Sequence, residues 1–215
     1  MDNREIQEQN PENNSRVSAT RKQNDKHNET QKTLLSYMHD VVFFIVPLLF
    51  VFVFMFRVVV VSGPSMKNTL VSGDFLLVLN QTFYHNPKSG DIVVASKDSF
   101  KNGEPIIKRV IATEGQTVDI DFAAGIVYVD GVALEEDYTA TPTNEEEGMI
   151  FPLTVEENCI FVMGDNRNSS KDSRNPDIGL IDKREVLGKA IFLLYPGKGD
   201  TYDRVKMDLG RIGVP

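Results

Sequence analysis

A serine that follows Gly-Pro is the first place where this sequence could do covalent chemistry. In Ser62-Gly63-Pro64-Ser65-Met66-Lys67-Asn68-Thr69-Leu70, the Gly63-Pro64 pair fixes a turn. Such a turn can project the Ser65 hydroxyl and leave backbone N–H groups facing a developing oxyanion. Taken alone, a Gly/Pro/Ser cluster is usually only a turn. The segment is not Gly-x-Ser-x-Gly, because Lys67 holds the last position, and not Ser-x-x-Lys, because Asn68 stands three residues on.

A serine hydroxyl needs a base, and the chain has three histidines. His27 lies in a polar tail and His39 at the start of an apolar stretch, so a Ser/His/Asp triad would rest on His85 alone. Ile106-Ile107-Lys108-Arg109-Val110-Ile111-Ala112 offers a better base. It is a strand-like run in which burial would penalise the ammonium form of Lys108 and favour a neutral amine able to take a proton. The plainer alternative is an amphipathic strand from which Lys108 or Arg109 reaches outward. A third stretch, Met163-Gly164-Asp165-Asn166-Arg167-Asn168-Ser169-Ser170-Lys171-Asp172-Ser173-Arg174, closes an apolar run. In it Asp172 and Arg174 could pair and organise a polar turn. Calcium fits this stretch poorly, since Arg167, Lys171 and Arg174 would repel the ion. The single cysteine, Cys159, excludes an intrachain disulfide and a thiolate metal site, and its apolar surroundings point to an inert thiol.

These residues need elements to position them. Residues 1–33 are rich in Asn, Gln, Glu, Lys and Arg and are expected to be a disordered tail. Val41 to Phe56 is wholly apolar, and the run resumes from Val58 to Val61 after Arg57. That is about the 20 residues a membrane-spanning helix needs, with Arg57 placed to snorkel to the headgroups. The expected anchor is 34–61. A buried core helix would carry a polar stripe, and a cleavable signal would have a shorter start. Arg21, Lys22, Lys26 and Lys32 precede the span, which puts the N-terminus in the cytoplasm and the domain of 62–215 outside it.

Beyond the anchor the pattern turns to short apolar runs separated by turn residues, as in Phe75–Leu79 and Ile92–Ala95. Asp130-Gly131 between Ile126–Val129 and Val132–Leu134 predicts a type I′ hairpin. Glu135 to Gly148 is acidic, contains Pro142 and is expected to be a surface loop. The result is a mainly β domain. The chain's 215 residues suit one domain plus appendages. A net charge of −8 argues against a nucleic-acid binder.

The order of these features, a membrane span, then Ser-Met, then a Lys-Arg strand, then Gly-Asp-Asn-Arg with a later Ser-x-Asp-Ser-Arg, resembles the type I signal peptidases, which are Ser/Lys dyad proteases. The resemblance covers about residues 35–195. It implies an antiparallel β domain with a β-hairpin insertion. It implies Ser65 as nucleophile and Lys108 as general base, Ser170 as the hydroxyl that orients the lysine amine, and Asp172 and Arg174 as a supporting salt bridge. Gly164, Asp165, Asn166 and Arg167 would be scaffold. Gly63 stands where some relatives carry a serine that donates to the oxyanion, so the resemblance implies donation by backbone N–H groups, chiefly that of Ser65. Gly63 and the short chain resemble the compact Gram-positive forms.

Asn68 departs from the usual Ser-Met-x-Pro-Thr-Leu and bears on loop rigidity rather than chemistry. The implied reaction is removal of signal peptides after small residues, in an Ala-x-Ala-like setting, with no metal and no organic cofactor. Secretory preproteins would be the substrates, the lipid bilayer the support, and the secretion translocon a candidate neighbour. Two rivals are a self-cleaving repressor-type Ser/Lys protein, which lacks a membrane span, and a non-catalytic preprotein-binding or scaffold subunit of the same fold.

Overall fold

The computed structural model describes residues 11–198 and 213–215. One helix, α1 (Pro11–Met55), precedes eleven strands. Within it Gln31–Met55 is long and apolar enough to cross a membrane, with a mean hydropathy of 2.4. The helix begins well before the expected boundary, so 11–33, expected to be disordered, is helical from Pro11 onward. Residues 1–10 of that tail lie outside the described residues. Adding turns to an existing helix costs little beside nucleating one, and a polar composition does not by itself forbid the extension.

The other end of the anchor also differs from expectation. The helix stops at Met55, and Phe56–Val60 forms β1, paired with β2 (Phe75–Asn80) from Phe56↔Leu79 to Val60↔Phe75. Arg57 stands opposite Val78. An apolar run suits lipid or sheet alike, but the β-branched residues from Val58 to Val61 favour the pleated form once Phe75-Leu76-Leu77 offers a partner.

The remaining strands are β3 (Ile92–Ala95), β4 (Ile106–Thr113), β5 (Thr117–Asp121), β6 (Ile126–Val129), β7 (Val132–Ala133), β8 (Leu153–Thr154), β9 (Cys159–Met163), β10 (Ile181–Asp182) and β11 (Val186–Tyr195). A seven-stranded sheet runs β1-β2-β11-β3-β4-β9-β10, and a four-stranded sheet runs β7-β6-β5-β8. All pairings are antiparallel. The smaller sheet is inserted between β4 and β9. Its β6–β7 hairpin turns at Asp130 and Gly131, with φ of 53° and 77°, the two positive angles a type I′ turn requires.

The core divides among three apolar clusters. Met66 and Leu70 pack with Leu76, Val78 and Ile92, which seats the loop after β1 on the large sheet. Phe161 and Met163 join the inserted sheet to β9. Val110, Val162 and Ile178 fill the third cluster.

Candidate active site

β4 is buried along most of its length, so Lys108 and Arg109 are not the outward face of an amphipathic strand; Lys108 is 4% exposed and Arg109 8%. The strand pairs with β3 through Val93↔Lys108 and meets β9 only from Arg109↔Met163 onward. Its Ile106–Lys108 edge thus lacks a strand partner on that side. Lys108 Nζ reaches Ser65 Oγ at 2.7 Å across 43 residues of sequence. The separation is that of a direct hydrogen bond between a buried amine and a hydroxyl.

The loop carrying Ser65 closes on itself at the end of β1. Val61 N–H donates to Asp74 O and Gly73 N–H to Val61 O, each at 2.9 Å. Gly63 has φ +86°, a conformation costly for residues with a Cβ. Its N–H donates to Ser72 Oγ at 3.2 Å and so is engaged within the loop. The Ser65 N–H enters no hydrogen bond among the described residues.

The Gly-Asp-Asn-Arg turn grips this loop from the other side. Asn166 N–H donates to Ser65 O at 3.0 Å and Asn166 Nδ2 to Pro64 O at 3.1 Å. Thr69 Oγ1 donates to Asp165 Oδ2. Asp165, wholly buried, also takes a bidentate bond from Arg109, with Nε at 2.8 Å and Nη2 at 2.7 Å. Burial works against the Arg109 charge, but the hydrogen bonds and charge of Asp165 outweigh it and hold the guanidinium pKa above its ordinary value. The Tyr138 ring lies 4.1 Å from the same guanidinium. One carboxylate therefore ties the strand that carries Lys108 to the loop that carries Ser65.

The expected pair Asp172–Arg174 is present and wholly buried, with Arg174 Nε and Nη2 each 2.8 Å from the carboxylate. Asp172 Oδ2 accepts Gly164 N–H at 3.0 Å. Arg174 Nη2 donates to Arg167 O at 2.7 Å, and Arg167 Nη2 pairs with Glu136 at 2.6 Å. Glu147 lies 3.1 Å from Arg174. Burial and the neighbouring Asp172 charge nevertheless push its carboxyl up to about 7.

Ser170 differs from expectation. Its Oγ is buried without a hydrogen-bond partner among the described residues, so no bond to Lys108 is made. The side chain lies over the Cα of Gly164: a Cβ there would collide with Ser170 Oγ and Cβ, and with Ser65 O at 2.5 Å. The bare Gly164 lets both residues close on the turn. His85 lines a different cavity, with Tyr84, Asp91 and Lys189, and takes no part in the Ser65 site.

Beside Ser65 and Lys108 lies a groove of about 530 Å³. One wall is Val59–Val61 on β1, the edge strand of the large sheet, and another is Ile106 and Ile107 of β4. Both walls thus present strand backbone with an unpaired side, the surface to which an extended peptide can add.

The sequence profile described as "Signal peptidase, peptidase S26" matches residues 34–195. The chain belongs to this signal peptidase family. It is 34% identical over 180 residues to the signal peptidase I of Bacillus licheniformis, covering 80% of this chain and 94% of that one. It is 36% identical over 143 residues to the probable signal peptidase I-1 of Synechocystis sp., covering 63% and 69%. A solved signal peptidase I from Enterococcus faecalis V583 aligns with 34% identity and a TM-score of 0.40, covering 48% of this chain and 96% of that one.

The S26 match includes the Ser65 loop, β4 and the 163–174 turn. Three parts of the site gave no signal in the sequence read alone: the clamp of Asn166 on the loop carbonyls, the link from Arg109 through Asp165 to Thr69, and the bond from Asn68 Nδ2 to Thr139 O at 3.0 Å. Asn68 has φ +88°, which a proline cannot adopt.

Proposed function

We propose that this chain is a membrane-bound serine endopeptidase that removes N-terminal signal peptides from exported preproteins, with Ser65 as nucleophile and Lys108 as general base. The observation that carries the reading is the 2.7 Å contact between a buried lysine amine and a serine hydroxyl at the edge of a peptide-sized groove. The scissile peptide lies extended along β1. Ser65 Oγ attacks its carbonyl carbon while the hydroxyl proton passes to Lys108 Nζ. The Ser65 N–H donates to the oxyanion. Lys108 then gives the proton to the departing amine, which frees the mature protein and leaves the signal peptide as an ester on Ser65. Water, deprotonated by Lys108, hydrolyses that ester and restores the serine.

Asp172 and Arg174 act as support by holding Gly164 against the nucleophile loop. Ser170 is assigned as a positioning hydroxyl for the amine. Gln31–Met55 is assigned as the anchor. The basic residues ahead of it support an orientation with the N-terminus in the cytoplasm and the β domain outside, which would set that domain at the bilayer surface and within reach of the translocon.

The test is cleavage of a model preprotein by detergent-solubilised wild type, Ser65→Ala and Lys108→Ala. Each variant should retain less than about one-thousandth of the activity, and wild-type activity should fall on acidification as the base takes up its proton. Wild-type rates from Ser65→Ala would sink the assignment, and a wild type that binds preprotein without cleaving it would favour a scaffold role.

A further inference from the structure

Most of the groove's lining is apolar, including Val59, Val61, Phe100, Pro105 and Ile107. Its charged members are Glu104, Lys108 and Lys171. Lys108 is buried and must be neutral to act, which leaves Lys171 as the cation facing the substrate at neutral pH. Lys171 is exposed and makes no ion pair among the described residues. Its backbone, however, is fixed. Ser170 before it is 7% exposed and Asp172 after it 0%, and Asp172 is held by two bonds from Arg174 and one from Gly164 N–H. A long cationic side chain therefore rises from a rigid base into the groove that holds the reacting serine. A charge beside apolar walls is screened less than one on an open surface.

We infer that Lys171 is a specificity-determining residue that selects substrates carrying an aspartate or glutamate close to the scissile bond. This rests on the peptidase reading of the same groove. The acidic side chain meets the Lys171 ammonium as the peptide settles along β1, and a basic side chain at the same position is repelled. The substrate class is thus a preprotein whose cleavage region is small and apolar at the bond and acidic beside it.

The experiment uses the full chain in detergent with a peptide series in which single positions within three residues of the scissile bond are Glu, Gln or Lys. At one position or more, wild type should prefer Glu over Lys by about fivefold in kcat/KM at low salt, the size expected of one partly exposed charge pair. The preference should shrink toward unity at about 1 M salt. Lys171→Ala should abolish it, Lys171→Glu should invert it, and Lys171→Arg should keep it. The readout is a ratio within each variant, so a general loss of activity does not obscure it. Glu-to-Lys ratios that are the same in wild type, Lys171→Ala and Lys171→Glu at every position would overturn the inference. If Ser65→Ala cleaved these peptides at the wild-type rate, the reading of the groove itself would fail instead.

Discussion

Replacing Asn68 by Gly, Ala and Pro in turn separates the loop seen here from the loop a Ser-Met-x-Pro-Thr-Leu motif would build. Asn68 is exposed, at φ +88°, between the buried anchors Met66 and Leu70. Its side chain donates to Thr139 O at 3.0 Å, and its own N–H enters no hydrogen bond among the described residues. Proline at 68 would therefore delete no backbone hydrogen bond, and its cost is the dihedral together with the lost side-chain bond to Thr139 O. The ring holds φ near about −65°, so the turn between Met66 and Leu70 has to reverse.

Glycine keeps the angle and loses only an exposed side-chain bond, a change within about 1 kcal/mol. Alanine pays about 1–2 kcal/mol for the left-handed conformation. Proline should cost more than about 3 kcal/mol or shift the loop and with it Ser65. Since about 1 kcal/mol moves the melting temperature of a domain this size by about 2–4 °C, the order Asn, Gly, Ala, Pro should be resolved by thermal unfolding. Peptide cleavage should follow the same order, with Pro reduced by about 100-fold because a 1 Å displacement of a reacting group has that effect. The opposite result is equally definite. If Asn68→Pro were fully active and more stable by about 0.4–1 kcal/mol, as a proline fitted to its native angle would be, Asn68 would not sit at positive φ.

Other perturbations probe the frame around the dyad. Glu147→Gln should stabilise the protein at pH 8, by about 1 kcal/mol once solvent screening of this half-buried carboxyl and its pairing with Arg174 are discounted. Because burial raises the Glu147 carboxyl to about 7, the folded chain binds a proton that the unfolded chain releases from pH 4.5 upward. Wild-type stability is therefore lost as pH rises across that window, and the advantage of Gln should vanish in melts below it. Gly164→Ala should abolish cleavage, and adding Ser170→Gly should not restore it, because the new Cβ still meets Ser65 O at 2.5 Å. Asp165→Ala should lose about 3–5 kcal/mol in denaturant unfolding, the cost of stranding the buried Arg109 guanidinium. Its kcat should fall with Ser65 and Lys108 both present.

Much of the β domain was legible because its signals are local. Asp130-Gly131 specifies a turn by the angles it tolerates, and the runs that became β2 and β3 declare themselves within six residues. The end of the helix at Met55 is not legible because apolarity is the same signal in a membrane-crossing helix and in an edge strand such as β1, and only the β-branching from Val58 to Val61 distinguishes them. The helix over residues 11–33 is illegible for another reason: composition reports what a segment cannot bury, not whether an adjoining helix extends into it.

The site was legible in its parts but not in its assembly. Nothing near Lys108 in sequence says that its strand loses its β9 partner at Arg109 and so opens toward a serine 43 residues earlier. That contact depends on Asp165, which bonds Arg109 on one side and Thr69 on the other and so sets the spacing between two segments that never pair as strands. Asn166, the next residue, holds Ser65 O with its N–H and, through its Nδ2 bond to Pro64 O, fixes the Pro64–Ser65 peptide group that carries the Ser65 N–H. Two adjacent residues of one turn thus bear on two separable quantities, the distance from Ser65 Oγ to Lys108 Nζ and the direction of the Ser65 N–H. In the run Gly164-Asp165-Asn166 the glycine admits the loop, the aspartate spaces it and the asparagine aims it.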